Sequence, residues 1–241
     1  VEKGMIPAAN DEAIIHQEFR RMKRPLVQNA FDGDLPVGDN ANVIMVTSDM
    51  PGAGKSFCSL NLAESISMER DIGAILVDAD VVKAGISHAL GLDGQLGLMD
   101  YILDPGIALE DIMFRTDMGG IIVIPSGRRH SQSTELLASR RMQDLVYKLS
   151  TDFSNNAVVF DTPPLLLTSE APVLAKVVGQ IVLIVEARVS SQESVIRALG
   201  LLDRSKPINA VYNKSRRAAS IDYAGGPGNY RYWNHNDETS G

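Results

Sequence analysis

The chain has 241 residues, 44% apolar and 22% charged, with a formal net charge of -7 and one cysteine, Cys58. That length suits one α/β domain with a full core, the acidic balance argues against a general nucleic-acid surface, and a lone cysteine excludes an internal disulfide. No apolar run approaches the roughly 20 residues of a membrane helix and no basic-then-apolar leader opens the chain, so a protein of the cytoplasm is expected.

The first patterned stretch, 10–26, reads "NDEAIIHQEFRRMKRPL". It is predicted helical: Asn10 can cap it, Asp11 and Glu12 suit its first turn, and Pro25 is expected to stop it. Glu18, Arg21 and Arg24 recur every three residues and form a stripe on one face. On general grounds such a stripe is a solvated face, while Arg20, Arg21, Lys23 and Arg24 together could also meet anionic lipid. Candidate strands follow at 42–47, 74–78, 121–125, 157–161, 180–186 and 208–212, with helical stretches at 54–68, 133–150, 170–178 and 191–203. The strands are continuously apolar, as in a parallel sheet covered on both faces. The alternation predicts an α/β fold with a doubly wound, mostly parallel sheet. Three units are expected: an N-terminal segment 1–38, a core 39–217 and a tail 218–241 that is poor in aliphatic residues.

In a doubly wound sheet ligands sit beyond the carboxyl ends of the strands, where three strands end in useful chemistry. "SDMPGAGKS", 48–56, follows one strand and opens a helix. Gly54, Lys55 and Ser56 fit the end of the phosphate-loop pattern G-x-x-x-x-G-K-[ST], although Asp49 replaces its first glycine. Gly52 and Gly54 let backbone N–H groups converge on an anion, so the stretch Pro51, Gly52, Ala53, Gly54, Lys55, Ser56 and Phe57 is the predicted nucleotide cradle. Lys55 would reach the β- and γ-phosphates and Ser56 would ligate Mg²⁺. "AILVDAD" places Asp78 and Asp80 at a second strand end, and "AVVFDTPP" places Asp161 at a third, where a buried carboxylate asks for a cation. Each aspartate could otherwise cap a turn, and Asp80 could simply brace its loop. Asn213 could read an adenine edge or equally cap a turn.

"SDMPGAGKS", "ILVDAD" and "VVFDTPP" resemble the Walker A, A′ and B motifs of bacterial tyrosine autokinases of exopolysaccharide synthesis. "EFRRMKRPL" and "STELLAS" resemble in particular the stand-alone kinases of exosortase-type loci, over roughly residues 17 to 215. The wider relatives are MinD- and ParA-type ATPases, whose early signature lysine is here Met50. The resemblance implies ATP and Mg²⁺ as cofactors, Lys55, Asp78 and Asp80 as catalytic groups, and Ser56, Asp78 and Asp161 around the metal. An arginine often found after the second aspartate is missing; Val82 and Lys83 stand there, and a lysine cannot copy a bidentate arginine. The resemblance also implies that Glu18, Arg21 and Arg24 are an oligomerisation element of a ring. Its expected partners are a membrane polysaccharide co-polymerase as activator, placing the protein peripherally at the inner membrane, and a cognate tyrosine phosphatase.

The tail carries Tyr223, Tyr230 and Tyr232, half of the chain's six tyrosines, and its only tryptophan, Trp233. It reads either as a segment that docks on the fold or as a phosphoacceptor cluster, the role that the resemblance implies. A flexible tail of about 20 residues spans roughly 25 Å, enough to reach a neighbouring protomer. Three phosphotyrosines would add about -5 to -6 charges per protomer and loosen a ring. The competing reading is a MinD/ParA-like switch that hydrolyses ATP and recruits a partner.

Overall fold

The computed structural model describes residues 9–32 and 40–215, with side chains from residue 15 onward. The tail tyrosines and the first segment's opening residues lie outside that range. Seven strands form one sheet in the order β3-β4-β2-β5-β1-β6-β7: β1 Val43–Ser48, β2 Gly73–Asp78, β3 Phe114–Arg115, β4 Ile122–Ile124, β5 Asn156–Asp161, β6 Gln180–Glu186 and β7 Ile208–Asn213. All neighbours pair in parallel except the short edge strand β3, which runs antiparallel to β4.

Strand pleating explains the continuous apolar runs. Val43 and Met45 of β1 enter one core with Leu145 and Leu149 of α6 (Arg140–Asp152) and Leu174 of α7 (Glu170–Leu174). Ile44 and Val46 point to the opposite core, shared with Leu62 and Ile66 of α2 (Lys55–Ser67) and with Phe19 and Leu26 of α1 (Ala9–Phe31). Successive residues therefore serve opposite layers, and neither face of the strand is free to be polar.

Two predicted helices change. Helix α1 does not stop at Pro25 but continues to Phe31 with the proline inside it. The ring forfeits one backbone bond, and tertiary contacts hold the continuation: Leu26 is fully buried, Gln180 Nε2 donates to Leu26 O at 3.0 Å and Asn29 Nδ2 donates to Gln180 Oε1 at 2.9 Å. The stretch 133–150 breaks into α5 (Ser133–Leu137) and α6, because Ser139 adopts extended backbone and accepts from Met142 N. Two short helices, α3 (Gly85–Ala89) and α4 (Leu98–Leu103), and strand β3 were not anticipated. Helix α8, Gln192–Leu199, completes the set.

On α1 the stripe lies at the surface, with Glu18 Oε1 and Arg21 Nη1 3.8 Å apart and Arg24 also exposed. Lys23 differs from the other basic residues of this helix: it is buried, donates to Ser65 O and pairs with Glu69 at 2.7 Å, tying α1 to the end of α2.

Candidate active site

The turn from β1 into α2 carries the phosphate loop. Gly52 and Gly54 take φ of +88° and +95°, the left-handed region that a side chain disfavours. Space is short at Gly54 as well, since a Cβ there would lie 2.4 Å from Asn213 Nδ2 and that amide would have to shift. Lys55 opens the helix and is buried. Burial pulls its ammonium below the ordinary lysine range and Lys83 adds to that, against the opposing pull of Asp161, Asp80 and Asp49.

Asp78 and Asp161 end the adjacent strands β2 and β5 as direct register partners, and both are fully buried. Asp161 Oδ1 accepts from Ser59 Oγ at 3.0 Å, and Asp78 Oδ2 accepts from Ser87 N and Ser87 Oγ at 2.8 and 2.7 Å. Asp78 Oδ1 and Asp161 Oδ2 have no hydrogen-bond partner among the described residues. Burial raises the Asp161 carboxyl to about 7, against hydrogen bonding from Ser56 and Ser59. Burial likewise raises Asp78 to about 6, against its bonds from Ser87.

Orphaned buried carboxylate oxygens are what a hard cation satisfies. Among the described residues no group of three or more His, Cys, Asp or Glu could cage a metal. Two carboxylates and the Ser56 hydroxyl fit an ion such as Mg²⁺, which takes a few protein ligands and completes its shell with water and phosphate oxygens.

Asp80 is buried beside this pair, and its Oδ1 accepts from Lys83 N at 3.2 Å. Its backbone carbonyl accepts from Lys83 N and Ala84 N, so the residue braces the turn that follows β2 and also acts electrostatically on Lys55. Asn213 Nδ2 donates to Ala53 O at 2.7 Å. Its amide nitrogen thus supports the phosphate loop from the end of β7. Pro51 and Gly52 are exposed, Ala53 is buried, and Ser56 and Phe57 are half-buried along the loop and first turn.

The chain is 29% identical over 225 residues to the tyrosine-protein kinase YwqD of Bacillus subtilis, covering 92% of this chain and 91% of that one. The chain is a homologue of the bacterial tyrosine kinases. It is also 31% identical over 138 residues to the tyrosine-protein kinase ptk of Acinetobacter johnsonii, of whose length it covers only 18%. Among solved structures, the VpsO kinase domain superposes with a TM-score of 0.70 at 28% identity, covering 87% of this chain and all of that one. MinD of Pyrococcus horikoshii complexed with Mg-ADP matches at a TM-score of 0.60 and 20% identity, covering 73% of this chain and 72% of that one, a likeness of fold. No protein-family profile matches the chain.

Two supports of this kinase-like site escaped the sequence reading. Asp49, in place of the loop's first glycine, is fully buried and accepts from Ser190 Oγ at 2.8 Å and Ser194 Oγ at 2.6 Å. It fastens the start of the loop to the β6–α8 connection. Lys214 donates to Gly52 O at 2.6 Å and to Glu186 Oε1 at 2.8 Å, so the ends of β6 and β7 both grip the loop. A weak signal existed for Asp49, because a charged residue replacing a motif glycine after a buried strand needs partners. Nothing local marks Lys214.

Proposed function

We propose that the chain is an ATP-dependent protein-tyrosine kinase that modifies its own C-terminal cluster, Tyr223, Tyr230 and Tyr232, in a neighbouring copy. The observation that carries the chemistry is the adjacent pair of orphaned oxygens on Asp78 and Asp161 below a phosphate loop whose lysine is buried. The kinase homologues favour a tyrosine over water as the acceptor.

In this reading residues 51–57 bind the phosphates through backbone N–H groups and Lys55 neutralises their charge. Ser56, Asp78 and Asp161 would hold Mg²⁺, which supplies charge stabilisation on the transferring phosphoryl group. Asp80 orients the phenol and receives its proton; a phenol with pKa near ~10 needs such help as its oxygen attacks. The bond between the γ-phosphorus and its bridging oxygen breaks, a bond to the tyrosine oxygen forms, and ADP leaves. Asn213 would border the base. Glu18, Arg21 and Arg24 would join protomers into a ring, and charge repulsion between modified tails would open it. A membrane polysaccharide co-polymerase as activator and a cognate phosphatase complete the proposed cycle at the inner membrane face, in the regulation of exopolysaccharide synthesis. No helix among the described residues is long and apolar enough to cross a membrane.

Incubation with ATP and Mg²⁺ followed by intact-mass measurement tests the reading. Phosphate additions that map to the tail, and that fall sharply with Asp80→Asn, are the expected result. Phosphate release without labelling would favour the ATPase switch instead, a reading that shares the fold of MinD.

A further inference from the structure

A second polar cavity adjoins the crevice on the side away from the phosphate loop. It has a volume of about 210 Å³ and is lined by residues that include Lys83, Ser87, His88, Ser126 and Arg129. Ser87 and Ser126 are buried, whereas Lys83, His88 and Arg129 are exposed. Among the described residues Lys83 and Arg129 form no ion pair, and the one lining carboxylate, Asp93, is engaged by His88 Nδ1 at 3.0 Å.

The wall that carries Arg129 is held in place. The fully buried Asp100 accepts from Gly97 N, Arg128 N and Arg128 Nε. Gly127 has φ of +75°, and a Cβ on it would lie 2.4 Å from Asp100 Oδ2. Arg128 is thus spent on the scaffold, and Arg129 remains as the guanidinium lining the cavity. Lys83 after β2 and Arg129 after β4 are two unengaged cations facing one cavity, an arrangement suited to a phosphate dianion.

Strand order sets the cavity to one side of the seat of the nucleotide phosphates. The cavity lies between the loops after β2 and β4, while the phosphate loop follows β1, and β5 stands between β1 and β2. At about 4.8 Å per strand the strand ends lie roughly 12 Å apart; the loop after β2 bends back toward the phosphate loop, where a Cβ on Gly85 would lie 3.2 Å from Ser56 Oγ, while Arg129 follows β4, one strand farther away. The metal carboxylate is nearer, because Ser87 both lines the cavity and donates to Asp78. One side chain separates the two places. In an extended segment, side chains two residues apart share a face at about 7 Å spacing. Tyr230 and Tyr232 have that spacing in the sequence.

We infer that this cavity is a phosphotyrosine subsite: Lys83 and Arg129 hold a tail tyrosine already modified while its neighbour two positions away enters the crevice beside Asp80. This rests on the kinase reading and gives it an order, since each modification improves the binding of the same tail for the next.

Two measurements on the full chain test it. In a time course of intact masses with ATP and Mg²⁺, wild type should accumulate multiply labelled chains while unlabelled ones remain. Arg129→Ala should pile up singly labelled chains, with the first transfer unchanged and later ones slowed about tenfold. In a binding assay, a fluorescent peptide of residues 222–241 phosphorylated at Tyr232 should bind about tenfold tighter than its unphosphorylated form, and Arg129→Ala or Lys83→Ala should erase the difference. An unchanged label distribution in Arg129→Ala, equal binding of the two peptides, or a raised KM for ATP as the variant's main effect would overturn the subsite. If wild type labels no tyrosine, the kinase reading fails, and the peptide comparison still decides the subsite by itself.

Discussion

Asp78 and Asp161 face each other as register partners across β2 and β5, each fully buried and each with one oxygen that meets no donor among the described residues. Parallel pairing at that register is what turns two distant aspartates into one anionic site, and the folded chain bears the electrostatic strain until a cation arrives.

That strain should be visible as stability. Burial raises the Asp161 carboxyl from its ordinary 3.8 to about 7, so the stabilisation from its protonated form is complete below the ordinary value and is lost as pH rises through about 7. Asp161→Asn carries no charge. In metal-free buffer it should therefore melt above wild type at about pH 8, by on the order of 1–3 kcal/mol, and the advantage should shrink toward acid. Adding Mg²⁺ with ATP should raise the melting temperature of wild type and leave the variant nearly unmoved. Thermal melts across a pH series check this, and parallel pH profiles for the two proteins would contradict it.

Asp49 leads to a prediction about coupling. Its buried carboxylate depends on Ser190 and Ser194. Ser194→Ala removes one donor and leaves the charge, at a cost of roughly 1–3 kcal/mol. In an Asp49→Gly background, which restores the usual motif residue, the same serine change should cost little. Denaturant titration of the four proteins in the cycle gives the coupling; additive effects would mean that the serines do not support Asp49.

Lys214 grips Gly52 O and Glu186 from an exposed position. Exposed pairs contribute at most about 1 kcal/mol to stability, so Lys214→Ala should barely shift the melting temperature. It should instead loosen the loop and weaken nucleotide binding by roughly three- to tenfold, read by fluorescent-nucleotide titration. A large stability loss with unchanged affinity would reverse the assignment.

Gly54→Ala should fail on two counts, a φ of +95° and a 2.4 Å approach to Asn213. Backbone strain of this kind costs on the order of 1–3 kcal/mol. Asn213→Ala removes the clash but leaves the strain and also loses the bond to Ala53 O, so the double variant should recover only part of the stability. Melting curves of both decide, and full recovery would assign the whole penalty to the clash.

Much of the architecture was legible because it is written locally. A strand buried on both faces must be apolar at every position, so β1, β5 and β6 announce themselves and imply helices on both sides. The phosphate loop is equally local, since strand, glycines, lysine and helix start follow one another within nine residues. Pro25 misled for the opposite reason. The rule that proline ends a helix is local, and contacts from Gln180 and Asn29 overrule it.

The sequence by itself determined the fold class, the place of the phosphate loop and the aspartates that end its neighbouring strands, because burial pattern and backbone freedom depend on adjacent residues. Only the tertiary structure decided which groups meet: Asp78 with Asp161, Asp49 with Ser190 and Ser194, Lys214 with Gly52, and Asp100 with Arg128. Hydrogen bonds and electrostatic strain act over a few ångströms of space, and the strand order that creates that proximity joins residues far apart along the chain.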